Sequence, residues 1–215
     1  MFRAVTLLTA LMLLAVGPSF GGQLIFDFSS GNNGGFSAAE LGVPNMWTFN
    51  GDDWRVNGTG STNRTLLGPT FIASGGAVTV TISHNVSFET TFDGAVLAMQ
   101  VGASPITQIT SFSQGGYNSD YIVSSFPSGY GGPGWTGVGT YLSIANAGDL
   151  SAGTSFVLRF EAAWDGSVLW ADPNWRITSV TVSGIEDSGS AIPEPSTVML
   201  VLAGLSALWL ARRRR

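Results

Sequence analysis

Hydrophobic and polar residues alternate with a period of two along much of the chain. In Ala77 to Ser83 (AVTVTIS), Val78, Val80 and Ile82 alternate with polar or small neighbours, and in Thr154 to Glu161 (TSFVLRFE) Phe156, Leu158 and Phe160 alternate with Ser155, Arg159 and Glu161. Each pattern predicts a strand with one buried face. Gln23 to Phe28, Met46 to Phe49, Val86 to Thr91, Ala95 to Val101, Ile106 to Phe112, Val138 to Ile144 and Trp175 to Val182 read as further strands, separated by Gly, Asn, Ser and Pro clusters. No stretch of the body sustains helical periodicity. Many short strands, with glycine concentrated at the turns, predict an all-β, two-sheet antiparallel β-sandwich. In Trp175 to Val182 the large apolar residues fall first on odd and then on even positions, which predicts a β-bulge near Thr178.

The ends follow another pattern. Arg3 precedes an apolar stretch of 13 residues, Ala4 to Val16, then Gly17-Pro18 and the small-residue pattern Ser19-Phe20-Gly21. This reads as a secretory signal peptide over residues 1–22, with a mature chain starting near Gln23. At the other end, Thr197 to Ala211 forms an apolar run of 15 residues, where about 20 are needed to span a relaxed bilayer. Residues 197–211 are therefore expected to form a marginal transmembrane helix. Arg212, Arg213, Arg214 and Arg215 would hold its end in the cytoplasm as a stop-transfer lock. Pro193-Glu194-Pro195 cannot enter a helix ladder and should stay extended outside the membrane, as a processing enzyme would require. Between body and tail, residues 183–191 (SGIEDSGSA) read as a flexible tether. The domain organisation expected is thus a signal peptide (1–22), a sandwich ectodomain (23–182), a linker (183–191) and a C-terminal sorting segment (192–215).

Pro193-Glu194-Pro195-Ser196-Thr197, a short apolar helix containing Gly204 and a terminal arginine cluster together resemble the PEP-CTERM sorting signal of Gram-negative bacteria. The resemblance implies recognition and cleavage by a membrane-embedded exosortase after transient anchoring in the inner membrane. It implies export to the cell surface or a biofilm matrix, commonly alongside exopolysaccharide.

Without the ends, the body is strongly acidic: residues 23–192 hold four arginines against 13 carboxylates, a net charge of −9. Nucleic acid and anionic membrane surfaces, which need a basic patch, are not expected partners. Cysteine is absent, which excludes disulfides and thiol chemistry.

A second resemblance covers the later part of the body. His84 to Gly94 (HNVSFETTFDG), Gln114 to Asn118 (QGGYN), Arg159-Phe160 and Trp175-Arg176-Ile177 are similar to the jelly-roll, MAM-like modules of secreted bacterial proteases. A jelly-roll or concanavalin-like sandwich is what that resemblance implies. The chain departs from the pattern at Val101 to Ser104 and at Thr178.

Candidate chemistry is sparse. The single histidine, His84, is read as a strand-edge residue that bonds locally rather than as a catalytic base. Glu89 with Asp93, or Asp52 with Asp53, could supply the two carboxylates of a glycosidase. In a regular strand residues 89 and 93 would stand about 13 Å apart on one face, beyond catalytic range, although a turn between them would change that. Asp52, Asp53, Glu89, Asp93, Asp165 and Asp172 lie at expected strand ends or turns, where calcium could find carbonyl partners; Glu89 and Asp93, which the second resemblance includes, are the calcium candidates. Tyr117, Tyr121, Tyr130 and Trp135 lie in or beside glycine-rich loops and are candidates for stacking on sugar rings. The functional expectation is an exported surface or matrix protein that is not an enzyme, with a structural or polysaccharide-binding sandwich. A secreted glycosidase or lyase is the alternative.

Overall fold

The computed structural model describes residues 21–40, 42–43, 46–58, 60–130, 132–166 and 173–186. The expected signal segment up to residue 20, the sorting motif, the membrane helix, the terminal arginines, Trp170 and Asp172 lie outside the described residues. Among the described residues, no helix is long and apolar enough to cross a membrane.

Among the described residues there are fourteen strands: β1 (Gly22–Asp27), β2 (Ser37–Ala38), β3 (Thr48–Phe49), β4 (Trp54–Val56), β5 (Thr62–Ile72), β6 (Gly76–Ser87) and β7 (Gly94–Val101) in the first half. They are followed by β8 (Thr107–Gln108), β9 (Phe112–Gln114), β10 (Ser125–Phe126), β11 (Gly129–Tyr130), β12 (Val138–Leu150), β13 (Ser155–Trp164) and β14 (Trp175–Ile185). One sheet runs β3-β4-β14-β6-β12-β9, with β1 also on β14; the other runs β2-β5-β13-β7-β8; β10 and β11 form a separate hairpin. Every pairing is antiparallel. The result is the two-sheet sandwich expected from the alternation.

The core lies between the inner faces. Val78, Val80, Ile82 and Val86 of β6 meet Phe156, Leu158 and Phe160 of β13, all buried. Edge-to-face aromatic pairs, such as Phe26–Phe36 at 5.2 Å and Trp47–Trp175 at 5.2 Å, extend it beneath the edge strands.

Several boundaries differ from expectation. Ala77 to Ser83 and Val86 to Thr91 are not two strands. β6 is continuous through Ser87, because His84 occupies an inward position in the series Val78, Val80, Ile82, His84, Val86. His84 is therefore at the centre of a sheet rather than at a strand edge. β5 was not foreseen. Gly68-Pro69 breaks its pattern, yet both residues fall where the register with β13 shifts, between the pairs Val157↔Thr70 and Arg159↔Leu67. A proline is tolerated at such an irregularity because no ladder N–H is needed there. Ile106 to Phe112 divides between β8 and β9, which belong to opposite sheets. The bulge in β14 lies where parity placed it, between Ile177 and Ser179. The last strand runs to Ile185, three residues into the expected tether, and β1 begins at Gly22, within the expected signal segment.

The topology gives the sandwich two distinct ends. Gly22 pairs with Ile185, and Ser74 N–H donates to the Gly184 carbonyl, so the first and last described strands meet at one pole. β6 ends and β7 begins at the other, as does the exit of β13 at Trp164, where Ala163 pairs with Gly94. About ten strand residues separate the poles, roughly 30 Å.

Candidate functional site

Three carboxylates converge at the distal pole. After β6 the chain reverses within five residues: Asp93 N–H donates to the Glu89 carbonyl at 3.0 Å, and Thr91 takes a left-handed φ of 69°. This turn replaces the extended geometry expected of residues 89 and 93. Asp165, at the exit of β13, completes the group. One ligand oxygen from each of Glu89, Asp93 and Asp165 lies within 4.8 Å of the others. Asp93 is 1% exposed, and its Oδ1 accepts from Asp165 N–H at 2.8 Å and from Ser124 Oγ at 3.5 Å. Burial pushes the Asp93 carboxyl up to about 6. The charges of Asp165 and Glu89 add to that, and the two hydrogen bonds oppose it.

Three carboxylates so placed are the kind of donor set that could hold a hard divalent cation such as the calcium expected at Glu89 and Asp93. The carbonyls of Glu89 and Asp93 accept from Thr136 Oγ1 at 3.0 and 2.8 Å, which pins the turn that carries two of the three carboxylates. Asp165 joins the pair Glu89 and Asp93 expected for calcium. Because the folded-state pKa of Asp93 is raised, its stabilising contribution is present below about pH 4 and is lost as pH rises through about 6. In chelator at pH 8, Asp93→Asn should therefore be more stable than the parent by roughly 1–3 kcal/mol. Calcium at about 100 times its Kd should raise the parent's stability by about 2.7 kcal/mol and leave the variant unmoved. A parent melting curve indifferent to both calcium and chelator would refute the assignment.

The aromatic candidates separate into two groups. Trp135 is fully buried. Its indole N–H is directed at the carbonyls of Gly115 and Gly116, both at 3.1 Å, and its ring packs 4.6 Å from both His84 and Tyr117. Tyr117 is half-buried, and its hydroxyl bonds the backbone of Leu97 through both N–H and carbonyl; burial raises its phenol pKa. Neither ring offers a face to a sugar, which corrects that expectation for Trp135 and Tyr117. The glycine-rich loop wraps over the core, and its glycines let the backbone approach: a Cβ on Gly134 would stand 2.4 Å from Ile122 Cδ1. Trp135→Ala should cost about 3–5 kcal/mol of stability, read by urea unfolding, rather than remove a ligand contact. Tyr121 is 50% exposed at the distal pole. Tyr130 lies in β11, and its side chain is outside the described residues.

The remaining candidates are occupied structurally. Trp175 Nε1–H donates to His84 Nδ1 at 3.0 Å, so the proton of the neutral ring is on Nε2. That Nε2–H faces Ser143 Oγ at 2.9 Å, and the Ser143 hydroxyl in turn donates to the Gly115 carbonyl at 2.5 Å. In this relay the serine cannot pass its proton to the histidine, and the pair is no nucleophile–base dyad. Asp53, fully buried, accepts from Arg55 Nε and Nη2, both at 2.6 Å, and from Arg176 Nε. Asp52 lies outside it, 3.6 Å from Arg55 Nη2. Glu161, also buried, is bound by Arg159 at 2.8 Å and by Ser128 N–H at 2.9 Å. Sequence reading missed both ion pairs; the signal was each acidic residue standing two positions from an arginine on a strand.

Residues 191–215 match the PEP-CTERM protein-sorting motif. That motif is the recognition signal for exosortase, a membrane protease, and implies export. No curated protein is significantly similar to this chain. Among solved structures, the chain is similar to a cleaved adhesin domain of Lys-gingipain from Porphyromonas gingivalis, with 13% identity over 75% of this chain and 98% of that one, and a TM-score of 0.38. A GH26-CBM35 β-(1,4)-mannanase of Podospora anserina is similar at 12% identity over 80% of this chain and 29% of that one, with a TM-score of 0.30. The catalytic domain of a GH87 α-1,3-glucanase shows 14% identity over 77% and 31%, with a TM-score of 0.26.

Proposed function

We propose that this chain, exported and sorted through its PEP-CTERM motif, serves as a non-catalytic surface or matrix module whose distal pole faces outward. The observation that carries this reading is the placement of the ends. The sorting motif begins six residues after Ile185, and Ile185 pairs with Gly22, so both flanking segments leave from one pole. That pole faces the membrane while the tail is anchored there. The opposite pole carries the three carboxylates and the exposed side chains of Phe92, Tyr121 and Val138, at 42%, 50% and 69%. Exposed apolar groups gathered beside a cation-type donor set suit contact with a partner, and exopolysaccharide is the partner we propose, with Tyr121 as a stacking residue.

A non-catalytic role is supported at three of the titratable groups, while Glu89 and Asp93, which the turn brings within 4.8 Å, are the pair a glycosidase would use and are what the sugar-release assay below tests. His84 is locked in a relay, and Asp53 and Glu161 are each neutralised by arginine. Mass spectrometry of the mature C-terminus, in Gram-negative cells with and without exosortase, tests the sorting. The expected result is loss of the terminal arginines and a new end near Pro193-Glu194-Pro195 only when exosortase is present. Retention of the full tail in the mature surface protein would overturn it. Sugar release from soluble glucans or galactans by the purified protein would overturn the non-catalytic role in favour of a glycosidase or lyase.

A further inference from the structure

The outer face of the larger sheet carries a second feature, away from the distal pole. The bulge in β14 sets two consecutive residues, Thr178 and Ser179, toward solvent, and a recess of about 500 Å³ opens beside them. Bulges recur where a strand must re-aim side chains at a ligand. The floor includes Ser83 of β6; one wall is Ile25 and Asp27 of β1, and the other is Arg176 with Asp52.

The lining is chemically mixed and held in place. Arg176 is fixed through its Nε by the fully buried Asp53, which leaves 39% of its side chain exposed. Asp52, 57% exposed, stands 3.9 Å from Arg176 Nη2. An acceptor and a donor thus sit side by side, with Ser83, Ser179 and the Thr178 hydroxyl, which donates to the Ser83 carbonyl at 3.1 Å, also lining the recess. Ile25 is 68% exposed although it sits in the middle of a strand. It offers an apolar surface of the kind that the C–H face of a pyranose covers.

We propose that this recess binds one neutral sugar unit of a glycan chain. The charge argues for a neutral ligand: Asp27, Asp52 and the buried Asp53 stand against Arg55 and Arg176, which leaves a slight negative excess, and the body around them is acidic. A uronate, sulfate or phosphate group gains no net attraction there. The shallow, open shape suits an internal unit approached from the side, and weak single sites become effective when many copies are displayed together. A matrix role supplies such a ligand. Binding by purified protein is nevertheless read independently of sorting in cells, so either can fail alone.

The test titrates gluco-, manno- and galacto-oligosaccharides of three to six units into the purified chain and follows backbone amide shifts. The expected result is saturable binding to at least one of them, little changed by salt, with the largest shifts at Ser83, Thr178 and Ser179. Ile25→Ala and Asp52→Ala alter exposed side chains and should each weaken binding by about tenfold or more, with melting curves close to the parent. Absence of binding across the panel, undiminished binding in both variants, shifts centred on Tyr121 instead, or a preference for inorganic sulfate or phosphate would each overturn the assignment.

Discussion

Replacing Asp53 by alanine is expected to lower stability by about 3 kcal/mol or more, the scale for removing one partner of a buried ion pair, and the melting temperature by roughly 6–12 °C for a domain of this size. Asp53, the residue before β4, is wholly buried and holds Arg55 of β4 and Arg176 of β14. Its loss leaves two guanidinium groups facing one another at the Arg55↔Arg176 pair. Both arginines reach water, at 28% and 39% exposure, which keeps the cost near the lower end of the range. Arg55→Ala should cost less, because Arg176 still neutralises the carboxylate. Burial alone would raise the pKa of Asp53, but the hydrogen bonds and charges of Arg55 and Arg176 outweigh it and hold the carboxyl below its usual value. Its contribution is therefore present above about pH 4 and is lost as pH falls further. Urea unfolding of parent and Asp53→Asn should differ by a constant amount above pH 5 and converge toward pH 2. Curves that differ equally at every pH would mean that the ion pairs contribute nothing.

Acidification is the second large effect, and it works through His84. Burial among Trp135, Tyr141 and Trp175 depresses the imidazole pKa to about 3. The unfolded chain takes up a proton near pH 6.5 that the native core refuses, so stability falls as pH drops from 6.5 toward 3. The loss is on the order of 4–5 kcal/mol by the end of that window. Asp93 acts in the opposite sense between about pH 6 and 4, because the folded state gains a proton there. His84→Gln keeps a donor and an acceptor in the core, should cost about 1–3 kcal/mol at pH 7, and should flatten the slope below pH 6.5. Parallel slopes for parent and variant would show that His84 is not the group responsible. Asp93→Asn, by contrast, should steepen it.

Strands β6, β13 and β14 were legible because one buried face imposes a two-residue period, β7 because burial on both faces makes it a continuous apolar run, and the β14 bulge because an inserted residue inverts parity. His84 broke the legible pattern of β6 by standing at an apolar position as a neutral polar residue. Trp135 was misread for the opposite reason. Glycine-rich composition signals a loop, and loops usually lie at the surface, but this one folds over the sandwich and buries its indole. The turn from Glu89 to Asp93 was hidden because even spacing implies a common face only while the chain stays extended.

Local alternation and end composition determined by themselves that the body is a β-sandwich and that the chain ends in a sorting motif, since both signals involve only residues close in sequence. Tertiary structure alone decided which charges far apart in sequence meet. Asp53 and Arg176 are 123 residues apart, and Asp93 and Asp165 are 72 apart. Such contacts follow from strand order and register, which local periodicity leaves open, because any two amphipathic strands can pair until the whole core is packed.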